Sequence, residues 1–158
     1  MDKLFDLGLN EHDLESSREK LTILLANEYF LYIKTLNYHW NITGENFIAM
    51  HKLLEQQYEW LKETVDEVAE RIRTLGFIAP ADLSKYAKVS DIGSGDETET
   101  ENNMLTDLVN SHLKVIHSIR SLLKSLDSSE DYATADMFIK ILGHHEKIVW
   151  MIRCHLNK

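Results

Sequence analysis

The side chains that could do chemistry here are eight histidines and, among the acids, Asp66 with Glu70 a helical turn apart. The histidines are His12, His39, His51, His112, His117, His144, His145 and His155. A di-iron site inside one helical bundle normally rests on two Glu-x-x-His pairs, and no histidine of this chain has a glutamate three residues before it. What remains is His39, His51, and Asp66 with Glu70. Asp66 and Glu70 stand at i, i+4, so on a helix they share one face and can share a cation suited to hard oxygen ligands. Alone, such a pair is usually solvated surface, and buried histidines are more often packed and hydrogen-bonded than ligating. The informative feature is a distance. His51 and Asp66 lie fifteen residues apart on one predicted helix, which separates them by roughly 22 Å at 1.5 Å per residue. They cannot bind one ion within a single chain. Two copies related by a two-fold axis near Glu59 and Trp60, with these helices antiparallel, would bring His51 of one against Asp66 and Glu70 of the other, through an isologous interface.

Four long helices position these residues. The first runs from Asp13 or Ser16 to about Trp40, a stretch free of Gly and Pro, and Asn41-Ile42-Thr43-Gly44 breaks it. In the second, Phe47, Met50, Leu54, Tyr58, Leu61, Val65, Val68, Ile72 and Leu75 recur at spacings of three and four, a heptad stripe. Gly76 stops it, with Pro80 shortly beyond. The third carries Leu105, Leu108, His112, Val115, Ile119, Leu122 and Leu126 at the same spacing. The fourth runs from about Asp131 to Leu156, with Phe138, Leu142, His145, Val149, Ile152 and Leu156 on one stripe. His112 and His145 therefore fall on core stripes, His117, His144 and His155 fall on exposed or terminal positions, and the lone Cys154 reads as a small core residue. Short turns make two antiparallel hairpins. The long link between the second and third helices crosses the bundle and has room for one short helix around Ala81 to Ala87. The fold class is thus all-α, a ferritin-like four-helix bundle with a long crossover, spanning residues 1–158 as a single domain.

Composition bounds the partners. The chain has 158 residues, of which 44% are apolar and 27% charged, with one proline and six glycines; this fits a few long helices rather than a turn-dense β fold. One cysteine excludes an internal disulfide framework and any multi-cysteine metal site. The net charge of −9 suits cations and repels nucleic acid and anionic membrane. No apolar run approaches the length of a membrane span, and Met1 to Asn10 has no basic lead followed by an apolar run, so the chain reads as cytoplasmic.

Asn37-Tyr38-His39-Trp40-Asn41, Gly44, Phe47, His51, Asp66, Ala69-Glu70-Arg71-Ile72, Leu75-Gly76, and finally His145-Glu146-Lys147 and Trp150-Met151 together resemble the Dps, or mini-ferritin, family over almost the whole chain. The resemblance implies a hollow homododecamer that binds ferrous iron between subunits, oxidises it preferentially with hydrogen peroxide, or else with oxygen, and stores ferric mineral, protecting against oxidative stress. It implies that His39 and His51 of one subunit face Asp66 and Glu70 of its two-fold mate, and that Glu55 serves a second iron. Trp40 falls where an oxidisable aromatic stands beside the site and, with one iron bound, supplies the second electron. Asp127, Asp131 and Asp136 look like the carboxylates lining three-fold iron-entry pores.

One departure concerns DNA. Many family members carry a lysine-rich N-terminal tail that contacts phosphates, whereas residues 1–20 here hold six acids against three bases. The leading expectation is therefore a ferroxidase and iron store. The alternatives are a nucleoid-compacting DNA-binding protein of the same fold with secondary iron chemistry, and a metal-free helical interaction module whose histidines merely pack.

Overall fold

The computed structural model describes residues 6–126 and 129–156. Five helices follow one another: α1 (Glu11–Asn41), α2 (Phe47–Thr74), α3 (Leu83–Val89), α4 (Glu101–Ser125) and α5 (Tyr132–Leu156). The four long ones form the expected all-α bundle, and α3 is the short helix within the crossover. α1 packs along α2 and α4 along α5, while α1–α4 and α2–α5 contacts join the two hairpins and α3 lies against α1.

α1 starts two residues before the predicted Asp13 because Asn10 is a better cap: its side chain accepts the Asp13 N–H at 2.8 Å and donates to the Asp13 carboxylate at 3.0 Å. Such a cap satisfies one of the helix's unpartnered donors, worth about 1 kcal/mol. The chain turns into α2 through Gly44, at φ 139°, where a Cβ would run into the Glu101 carboxylate. α2 keeps the predicted bounds. Met50, Leu54, Leu61, Val68 and Ile72 are buried on its stripe, while Phe47 at the head of that stripe is exposed.

The crossover is held by polar contacts rather than by a continuous apolar face. Asp82 accepts the Ser84 and Lys85 N–H groups and so starts α3 two residues later than the apolar spacing suggested. The Asn27 side chain accepts the Asp91 N–H at 3.2 Å. Tyr38 donates its hydroxyl to Asp107 at 2.7 Å, and Lys34, itself buried, pairs with Asp107 at 2.8 Å and Ser111 at 2.9 Å. Gly95 lies flat on the Tyr38 ring, where a Cβ would stand 2.8 Å away.

The bundle core is mostly Leu, Ile and Val, but its middle is polar. His112 on α4 and His145 on α5 meet through their Nδ1 atoms at 2.8 Å, and His145 Nε2 meets Glu28 on α1 at 2.9 Å. All three side chains are fully buried, as the stripe positions of the two histidines suggested. Trp60 on α2 lies edge-on to His145 and stacks on His144 at 3.8 Å. Cys154, by contrast, is exposed. It lies off the α5 stripe set by Val149, Ile152 and Leu156, so its position faces away from the core. Among the described residues no helix is long and apolar enough to cross a membrane.

Candidate metal centre

His39 sits in the last turn of α1 and His51 in the second turn of α2, so the α1–α2 turn folds them face to face. Their rings stack with centroids 3.8 Å apart and planes 20° from parallel. His39 Nδ1 lies 2.9 Å from the His51 carbonyl oxygen, and His51 Nδ1 lies 2.9 Å from the His39 carbonyl oxygen. A carbonyl can only accept, so each Nδ1 carries the proton and donates it. That fixes both neutral tautomers with the lone pair on Nε2, the arrangement that orients a metal-ligating imidazole and raises its basicity. Phe47 flanks His51 and Tyr58 stands edge-on to His39, each with centroids 5.0 Å away. His39 is buried and His51 half-buried.

The carboxylates divide into two groups. Glu55, one turn after His51 on α2, is half-buried on the histidine side. Asp66 and Glu70 are exposed further along α2, roughly 22 Å from His51 by helical rise. Asp66 opens on a groove of about 820 Å³ between α1, α2 and α3, lined also by Tyr29, Glu59, Glu63, Lys62 and Tyr86. Among the described residues, no three His, Cys, Asp or Glu side chains come together to hold one metal ion. Within one chain the candidate ligands are thus two separate, incomplete sets. Trp40 is 69% exposed, on the helix surface next to His39.

Of the expected pore carboxylates, Asp127 lies outside the described residues. Asp131 is buried and committed inward: it pairs with Arg71 at 2.5 Å and accepts the Thr134 hydroxyl and N–H. Burial pushes its carboxyl up, but the hydrogen bonds from Thr134 and the Arg71 charge outweigh this and hold it below the usual range. Asp136 is exposed and pairs with Lys140 at 2.6 Å. The two carbonyl contacts that fix the histidine tautomers leave no trace in residue spacing, because they belong to backbone on the opposing helix. The flanking Phe47 and Tyr58 were visible only as members of an apolar stripe.

The chain matches the ferritin-like domain over residues 18–158. It is 31% identical to a low-temperature-induced protein of Nostoc, across 96% of this chain and 86% of that one. It is also 31% identical to a DNA protection during starvation protein of Brevibacillus brevis, across 84% of this chain and 89% of that one. The crystal structure of the Dps protein from Vibrio cholerae, described there as a member of a broad superfamily of ferritin-like diiron-carboxylate proteins, superposes with a TM-score of 0.89 at 30% identity, covering 94% of each chain.

Proposed function

The chain belongs to the Dps, or mini-ferritin, family of ferritin-like proteins, and on that premise we propose that it oxidises ferrous iron at sites shared between subunits and stores the ferric product. Membership supports a role in iron handling and oxidative stress and a homo-oligomeric assembly. The finer reading is a cytoplasmic dodecamer, each chain 1–158 forming one bundle, that uses hydrogen peroxide in preference to oxygen.

The observation that carries this reading is the reciprocal clamp on His39 and His51, in which each Nδ1 donates to the other residue's carbonyl and each Nε2 is left to ligate. Two imidazoles alone make an incomplete site. Asp66 and Glu70, too distant in the same chain, complete it from the two-fold mate when two α2 helices run antiparallel across the groove. Mixed imidazole and carboxylate ligands suit Fe(II), and carboxylates stabilise Fe(III). Glu55, beside the histidines, serves a second ferrous ion. With both ions present, each gives one electron: two Fe(II), one hydrogen peroxide and two protons become two Fe(III) and two waters, so no hydroxyl radical is released. With a single ion, Trp40 gives the missing electron.

Iron enters where carboxylates focus the field through a narrow opening. Of the three aspartates at the α4–α5 turn, Asp136 with Asp127 would face the ion. Asp131 would hold the turn in place through Arg71.

The test is Fe(II) oxidation followed with peroxide and with oxygen, beside a sizing measurement. Fast, peroxide-preferring oxidation by an assembly of twelve chains, lost on replacing His39 or Asp66 by Ala, is expected. Equal rates in those variants would overturn the assignment.

A further inference from the structure

Four of the chain's six tyrosines form one unbroken run of rings that begins at His39. Tyr58 of α2 stands edge-on to His39, centroids 5.0 Å apart. Tyr32 of α1 lies 6.4 Å from Tyr58, Tyr29 lies 6.3 Å from Tyr32, and Tyr86 of α3 lies 5.5 Å from Tyr29. The run thus joins three helices. It ends at Tyr29 and Tyr86 in the groove onto which Asp66 also opens. Tyr86 donates its hydroxyl to the Pro80 carbonyl, but at Tyr58, Tyr32 and Tyr29 plain packing of a bundle needs only apolar bulk, which Leu or Phe would supply. A phenol adds a group that gives up one electron far more readily than any aliphatic chain or a phenyl ring. Rings this close exchange an electron faster than a site turns over.

We infer that Tyr58, Tyr32, Tyr29 and Tyr86 form an electron-supply chain for the oxidation site at His39. The inference rests on the iron-oxidising reading above and gives it a second route to the electron that a singly loaded site lacks. The balance is complete: Fe(II), a tyrosine, one hydrogen peroxide and one proton give Fe(III), a tyrosyl radical and two waters. Tyr58 gives its electron to the site and its phenolic proton to water, which reaches it because the side chain is only half-buried. Tyr32 then refills Tyr58, and the oxidising equivalent moves along the run to Tyr29 and Tyr86. A later ferrous ion restores the chain: Fe(II), the tyrosyl radical and one proton give Fe(III) and tyrosine. In the proposed dimer Asp66 belongs to the other iron site of the same interface, so the run leads from one oxidation site towards its neighbour.

The experiment loads assembled protein with one ferrous ion per site, adds one equivalent of hydrogen peroxide, and freezes samples for electron paramagnetic resonance, with a hydroxyl-radical spin trap in parallel. The wild type should show a tyrosyl radical that disappears when more Fe(II) is added. Tyr58→Phe should lower the tyrosyl yield severalfold and raise the trapped hydroxyl radical correspondingly, and Tyr32→Phe should confine the radical to Tyr58. Tyr132→Phe, at an exposed tyrosine outside the run, should match the wild type. An unchanged tyrosyl yield in Tyr58→Phe, or only a tryptophan radical in the wild type, would overturn the chain. Oxidation with two ferrous ions per site is measured in the same samples. If it proceeds normally in both wild type and Tyr58→Phe, a radical failure condemns the tyrosine chain alone. If the wild type does not oxidise iron at that loading, the iron-oxidising reading falls and the chain with it.

Discussion

His39 and His51 each hold the other's ring through the other's backbone: Nδ1 of each donates to the carbonyl oxygen of its partner at 2.9 Å, over rings stacked at 3.8 Å. Neither imidazole is oriented by its own helix. Removing one ring therefore removes a ligand and also removes the stacking surface of the other, although the carbonyl that anchors the survivor remains. His39→Ala and His51→Ala should each weaken Co(II) binding by more than the loss of one imidazole, because the surviving ring also loses the ring it stacks on. The double variant should be little worse than either single one, since residues in contact are not additive. Titration of the iron-free assembly with Co(II), followed by its visible absorption, checks this. Independent, additive losses would mean that the clamp does not couple the two rings.

Burial, and then the neighbouring His145 and His144, depress the affinity of His112 for a proton well below that of a free histidine. The folded state then binds fewer protons than the unfolded state as pH falls through 6.5. Stability that is fully present above that pH is lost below it, by at most about 1.4 kcal/mol per pH unit for one proton. His144, depressed by its partial burial and by His145, acts with the same sign. Denaturant melts at fixed protein concentration should show the wild type losing stability between pH 7 and 5. His112→Gln, which keeps a polar group opposite His145, should show a shallower slope. An identical slope would place the acid sensitivity elsewhere.

Arg71 and Asp131 form a largely buried pair, with side chains 16% and 1% exposed, that ties α2 to the first turn of α5. Removing one partner of such a pair costs about 3–5 kcal/mol, because the other charge stays buried alone. Asp131→Ala should lower the melting temperature markedly. Asp136→Asn, at an exposed position, should leave it within experimental scatter.

The same aspartates separate entry from stability. Asp127→Asn with Asp136→Asn should slow mineral growth at low ferrous iron while assembly and the oxidising ligands stay intact. Uptake as fast as the wild type would move the entry route away from the α4–α5 turn.

With a net charge of −9 per chain and an acid-rich start, the iron-free protein should leave plasmid DNA unretarded at physiological salt with a chelator present. Retardation under those conditions would support the nucleoid-compacting reading instead.

The bundle was legible because its apolar stripes are long and regular. α2 runs as expected from Phe47 almost to Gly76 since periodicity and a left-handed glycine, at φ 90°, agree there. The start of α3 shifted because Asp82 caps it through its side chain, a contact that an apolar count does not register. Cys154 is at the surface because the α5 stripe of Val149, Ile152 and Leu156 passes it by, so residue type alone misplaces it. His39, His51, Asp66 and Glu70 stood out by type and spacing. What joins His39 to His51 did not, because it is made of backbone carbonyls brought together by tertiary packing. The Glu28–His145–His112 line and the tyrosine run draw on three helices each, so neither has a spacing that could be read along one.

The central claim is that one oxidation site needs two chains, and mixed assemblies test it most directly. Chains carrying His51→Ala and chains carrying Asp66→Ala are each expected to be inactive alone. When co-assembled at random in equal amounts, about a quarter of the two-fold sites would receive His51 from one chain and Asp66 from the other, both intact. Peroxide-driven Fe(II) oxidation should then return to about that fraction of the wild-type rate. Mixed assemblies of proven composition that oxidise iron no faster than either parent would contradict a shared site.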